Sequence, residues 1–156
     1  VIMFKQIQKQ LEAEGLIEVK DDKVYFTYTK DGKTKKEEEK LKDNFVVTPT
    51  VIPYLQKNWE QIKAGKDVDI RLGVVDRLET VGFRFKKDRE DTFDGKKVLL
   101  VRLEPSTWAI RQIVDPLTFT MSEDGSRLLQ LVGRTPLKKN VNGKWKDLDA
   151  LTKYIY

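Results

Sequence analysis

Apolar and polar residues alternate along most of this chain, the pattern of strands with one covered face. "KVYFTYT" sets Val24, Phe26 and Tyr28 on one side. "DVDIRLGVV" sets Val68, Ile70, Leu72 and Val74 against Asp69 and Arg71. "ETVGFRFKK" groups Val81, Phe83 and Phe85, with Arg84 and Lys86 opposite. "KKVLLVRL" groups Leu99, Val101 and Leu103, and "PLTFTM" groups Leu117, Phe119 and Met121. "RLLQLVGR" puts Leu129 and Leu131 together, and "KWKDLDALTKYIY" reads as a last strand. Turn signals separate them: "KDG" at 30–32, "DG" at 94–95, "EDGS" at 123–126 and "NG" at 142–143. Asp-Gly and Asn-Gly are hairpin turns because both central positions favour positive φ.

Three stretches depart from alternation. In "TPTVIPYLQKNWEQIKAGK", Leu55, Trp59 and Ile62 recur at helical spacing. Thr48 or Thr50 suits the N-cap, Pro53 the first turn, and Gly65 the end. "EPSTWAIRQIVDPLTF" breaks the ladder at Pro105, and Asp115-Pro116 forces an extended exit. Ala109 with Ile113, and Ile110 with Val114, predict a short helix over 106–114 anchored by Trp108. Residues 1–18 fit either element: Phe4, Ile7 and Leu11 approach helical spacing, while Ile7, Lys9, Leu11 and Ala13 lie at period two.

Strands in series joined by short turns, without crossover helices, predict an antiparallel meander. The fold class is mainly β (α+β): a curved antiparallel sheet or half-barrel covered by short helices. With 156 residues the expectation is a single domain over 1–156. A chain of this size buries about 70% of its unfolded surface and needs no staples.

Composition removes several chemistries. There is no Cys and no His. That excludes disulfides, thiolate nucleophiles, Cys-ligated zinc and the usual general base. Without His or Cys, catalysis falls to paired carboxylates or to Lys and Tyr. Glu104, Asp115, Asp147 and Asp149 are the candidates, but their spacing selects no pair, so no catalytic residue is assigned. "WKDLD" lacks the glycine-punctuated acidic loop of a calcium site, so no metal and no cofactor is expected. Net charge is +5, yet 30 basic residues face 25 acidic ones, mixed along the chain. The run "KTKKEEEKLKD" reads as an exposed strand or loop, with a specific electrostatic site as the alternative. No nucleic-acid motif or phosphate loop appears, so no nucleic-acid partner is expected. No apolar run is long enough to span a bilayer. The chain opens on "VIMFKQ", without an initiator Met or a signal peptide, as expected of a trimmed chain whose targeting segment, if any, lies outside it.

The run "NFVVTPTVIPYLQKNWEQIKAGKDVDIRLGVVDRLETVGFRF", followed by "VRLEPSTWAIRQIVDPLTFTM", resembles an uncharacterised family of bacterial exported proteins of unknown function. Asn58-Trp59, Gly65, "VVDRLETVGFRF", Glu104-Pro105-Ser106, Asp115-Pro116 and "WKDLD" carry it, over roughly residues 44–155. The resemblance implies a half-barrel similar to periplasmic lipoprotein carriers. It also implies a location in the periplasm or outer envelope, and strand in preference to helix over 4–18. It carries no catalytic residue.

Two functions follow. In the first, the concave face holds a lipid, lipoprotein or other amphiphile. Trp59, Phe83, Phe85, Trp108 and Phe119 would line it, with Leu99 and Val101, and Arg71 and Arg77 would stand at the rim. The same aromatics equally suit a packed core. Arg84 and Arg102 belong to the same Arg set, which the neighbouring Asp69, Asp76, Glu79 and Glu104 equally pair. In the second, the core is filled and the domain meets an envelope protein partner through an edge or an exposed patch.

Overall fold

The computed structural model describes residues 2–107, 109 and 115–156. Of the predicted 106–114 helix, Trp108 and residues 110–114 lie outside the described residues, and Ser106 and Thr107 form a bend after β8. The fold is mainly β, with antiparallel sheets and few short helices. The sheets do not close into a barrel.

The chain divides into two compact units, Val1–Thr48 with Arg71–Val81, and Pro49–Ile70 with Gly82–Tyr156. The first is built on a four-stranded meander of β1 (Ile2–Gln8), β2 (Ala13–Lys20), β3 (Lys23–Lys30) and β4 (Lys33–Lys40). Residues 2–8 are therefore strand, and a 3-10 turn at Lys9–Leu11 with Glu12 at φ 49° returns the chain. Two-residue turns close the next hairpins, with positive φ at Asp21 and Asp22 and at Asp31 and Gly32. Ile17, Val24, Phe26, Val47 and Val75 form the core of this unit. Most of the charge run is strand β4, exposed except for the half-buried Glu39, and Leu41 just beyond it packs against this core.

Strand β5 (Phe45–Val46) pairs in parallel with β6 (Val68–Val74), a departure from the all-antiparallel expectation. The α-helical segment between them supplies the crossover that a parallel pair requires. Alternation along β6 also changes phase. Val68 and Ile70 are buried as expected, but Gly73 and Val75 replace Leu72 and Val74 as the next buried positions. A Cβ at Gly73 would lie 3.0 Å from Ile17 Cδ1 and 3.1 Å from Phe45, so glycine lets the strand pack closely against that core.

The second unit carries the helices and the long hairpins. The predicted helix is two pieces, α1 (Val51–Lys57) and α2 (Trp59–Lys63), interrupted at Asn58 with φ −104° and ψ 16°. The Asn58 side chain donates to the Tyr54 carbonyl at 2.8 Å, a local bond that competes with the helix ladder. No threonine side chain caps α1; Thr48–Thr50 form a 3-10 turn instead. Leu55, Trp59 and Ile62 are nonetheless buried along one face. Then follow β7 (Glu79–Phe93), β8 (Lys96–Pro105), β9 (Leu117–Ser122), β10 (Leu128–Val141) and β11 (Lys144–Lys153). In pairing order the second sheet is β11-β10-β9-β8-β7-β6-β5. The turns at Asp94-Gly95 and Asn142-Gly143 have the expected positive φ. Strand β8 is buried on both faces over Val98, Leu99, Leu100 and Val101, where alternation alone assigned one. Leu128, and not Leu129 or Leu131, is the fully buried leucine at the start of β10, because the register with β9 shifts between Leu128 and Gln130.

Candidate functional site

Of the expected aromatic lining, Trp59, Phe83, Phe85 and Phe119 are buried in the second unit, and Trp108 lies outside the described residues. Strand β7 presents Phe83 and Phe85 at successive positions of one face, and β9 presents Phe119. Phe85 and Phe119 meet edge to face, with ring centroids 6.1 Å apart at 64°. Phe85 is 0% exposed and Phe119 2%. Trp59 is also buried, and its indole Nε1 has no hydrogen-bond partner among the described residues. Nearby, the Gln56 side chain donates to the carbonyls of Gly125 and Ser126 at 3.2 and 2.9 Å, tying α1 to the β9–β10 turn.

Arg71 and Arg77 belong to the first unit, and each has a partner there. Arg71 donates from Nε and Nη2 to Thr80 Oγ1 at 3.1 and 2.7 Å, and from Nη2 to the Thr80 carbonyl at 2.9 Å. Thr80 in turn donates its N–H and hydroxyl to the two carboxylate oxygens of Glu39, at 3.0 and 2.6 Å. This is a partly buried polar chain from β4 through β7 to β6. Arg77 pairs with Glu79 at 2.7 Å on the surface. In the second unit Arg84 pairs with Asp69 at 2.6 Å, and that bond raises the guanidinium pKa above its ordinary value.

Two open grooves of about 300 and 750 Å³ lie side by side in the second unit, sharing Lys63, Lys97 and Glu123. Among the described residues, none of the expected aromatics or arginines lines either one. The turn beside them is self-satisfied. Asp124 accepts from the Ser122 hydroxyl at 2.5 Å, the Ser126 N–H at 3.0 Å and the Ser126 hydroxyl at 2.9 Å. These bonds, Ser122 first, hold its pKa at about 2.

Exposed large apolar side chains lie at Met3 and Ile7 of β1 and, in greater number, on the β10–β11 ribbon and the residues that follow it. Strand β9 pairs with β10 only over Leu128–Val132, so beyond Val132 the only strand beside β10 among the described residues is β11. Val132 faces Leu151 directly across the ribbon, and both are exposed, at 42% and 54%. Gln130, Arg134, Asp147, Asp149 and Lys153 share that face by register. Trp145, 45% exposed, lies farther along it. Arg134 Nε pairs with Asp149 at 2.7 Å, while Arg134 and Lys138 both pair with Asp147. The Lys138 bond is the main cause of the lowered Asp147 pKa, and the Asp149 bond of the raised Arg134 pKa. Thus Asp147 and Asp149, two of the four carboxylates that the sequence offered for acid-base work, each hold a cation of the ribbon. Glu104, a third, lies 3.5 Å from Lys86 with its side chain largely buried.

The signal for this surface was present in "KWKDLDALTK". Its odd positions mix Trp145 and Leu151 with Asp147 and Asp149. A face so mixed suits neither a core nor a plain solvated surface. Among the described residues no group of three or more His, Cys, Asp or Glu is placed to hold a metal, and no helix is long and apolar enough to cross a membrane. No family model, curated protein or solved structure matches this chain.

Proposed function

We propose that this protein is a non-catalytic interaction domain that docks a protein partner on the outer face of the β10–β11 ribbon. The observation that carries this reading is the Val132–Leu151 pair, two large apolar side chains opposite each other and open to solvent on a strand pair at the sheet edge. Monomer surfaces carry isolated apolar residues freely, but here two large apolar side chains stand directly opposite each other on an exposed ribbon, with the exposed Trp145 farther along the same face. The ion pairs of Arg134 with Asp147 and Asp149 brace the ribbon around it. An edge strand adds unpaired backbone groups to the same surface. Amphiphile carriage draws less support, since Phe85 and Phe119 are spent on each other in a packed interior. The envelope setting enters the proposal through the sequence resemblance.

A photo-crosslinking amino acid at Leu151, with one at Lys36 on the exposed β4 as control, tests the proposal in the native host. A discrete protein adduct from Leu151 alone is expected. No adduct, together with a stoichiometric lipid in native mass spectrometry, would return the function to amphiphile carriage. Fractionation of the same cells reads the location.

A further inference from the structure

We infer that the partner on this ribbon is a second copy of the chain, paired antiparallel along β11 about a two-fold axis at Leu151. The inference rests on the interaction reading above and gives it an occupant.

Strand β11 ends the sheet, and among the described residues its outer edge has no strand beside it. The Val141↔Lys144 pair closes the Asn142-Gly143 turn, so Lys144 turns its backbone groups toward β10 and Trp145 turns its own outward. The outward set then continues through Asp147, Asp149, Leu151 and Lys153. The register irregularity between Arg134 and Lys138 sits in β10 and leaves β11 regular. The residues whose backbone faces the open edge are thus the ones whose side chains lie on the exposed face.

A two-fold antiparallel pairing must set members of this set opposite one another, and few registers are open to it. An axis at Asp147 or Asp149 sets like charges face to face, and an axis at Leu148 sets Asp147 against Asp149. An axis at Ala150 sets Leu151 against Asp149. Like charges directly opposite are destabilising, and a carboxylate beside an apolar pair loses solvent. With the axis at Leu151 no like charges face each other within β11, and Asp147 falls opposite the exposed Ile155, beyond the end of the strand. Val132, Leu151, Leu151 of the second copy and Val132 of the second copy form one apolar row across the seam. Asp149, held on one side by Arg134, meets Lys153 of the second copy on the other. On the opposite face Ala150 meets Thr152 and Leu148 meets Tyr154. The interface is isologous, the commonest form of a closed dimer.

The chain has no cysteine, so introduced thiols report the register without background. Sedimentation equilibrium on the unmodified chain should show a dimer, and Leu151→Asp should raise its dissociation constant about tenfold or more. An unchanged circular dichroism spectrum shows that the variant still folds. Ala150→Cys and Thr152→Cys proteins, mixed under mild oxidation, should form a disulfide between unlike chains, since these positions face each other without backbone bonds between them. Disulfide formation by Ala150→Cys alone would place the axis at Ala150 and overturn the register. A chain that stays monomeric at high concentration would overturn the dimer. In that case a Leu151 photo-adduct with a different protein sinks the dimer only, whereas its absence sinks the interaction reading as well.

Discussion

Gly125 lies against the face of the Trp59 indole so closely that a Cβ on it would fall 2.3 Å from Trp59 Cδ2. The contact locks the β9–β10 turn onto α2, and Gln56 secures the same turn from α1. Two physical reasons demand glycine there: the indole leaves no room, and the backbone φ is +72°. Gly125→Ala should cost about 2–4 kcal/mol, combining a left-handed alanine with overpacking. Trp59→Leu should relieve the packing part only. A double-mutant cycle by denaturant unfolding should therefore show coupling of about 1 kcal/mol or more; strict additivity would refute the contact.

Phe85 and Phe119 give the sharpest separation between a filled interior and a ligand site. Phe85→Ala should destabilise the fold by about 3–5 kcal/mol, the range of a fully buried aromatic. Chemical denaturation measures it. A loss below about 1 kcal/mol, with a change in bound lipid by native mass spectrometry, would point to a ligand-filled space instead.

Arg71 is expected to be structural. Its Nε and Nη2 both reach Thr80, a geometry a lysine ammonium does not reproduce. Arg71→Lys and Thr80→Val should each cost about 1–3 kcal/mol, because each leaves partly buried polar groups short of a partner. Arg77→Lys, which alters only an exposed pair with Glu79, should cost less than about 1 kcal/mol. Equal losses at the two arginines in thermal unfolding would contradict this ordering.

Asp124 sets an acid limit on the β9–β10 turn. Its pKa is depressed to about 2, so its contribution to stability is in place above the unfolded value, about 3.9. It is lost as pH falls through the folded value. Carboxyl NMR should give a midpoint near 2 for this residue. Ser122→Ala, which removes the leading hydrogen bond, should move the midpoint upward. An unmoved midpoint would show that the Ser122 bond is not its cause.

Elements set by neighbours in sequence were legible, and those set by distant partners were not. Asp-Gly and Asn-Gly announced the turns at 94–95 and 142–143, because their φ preferences act within two residues. The Asp21-Asp22 turn, without a glycine, gave no such signal. Helical spacing located Leu55, Trp59 and Ile62, but not the break at Asn58, whose side chain bonds back to the Tyr54 carbonyl.

By itself the sequence determined a mainly-β protein, its hairpin turns, its buried helix face and a chemistry without Cys or His. These follow from composition and from periodicities of two and 3.6, which are local properties of the chain. Only the tertiary structure decided that residues 2–8 are strand, that β5 and β6 run parallel, and that Gly73 of β6 and Val75 in the turn after it are buried in place of Leu72 and Val74. It alone bound Arg71 to Thr80 and left Val132 and Leu151 open to solvent. Burial and pairing are properties of what packs against a residue, and residue type fixes only what such packing would cost.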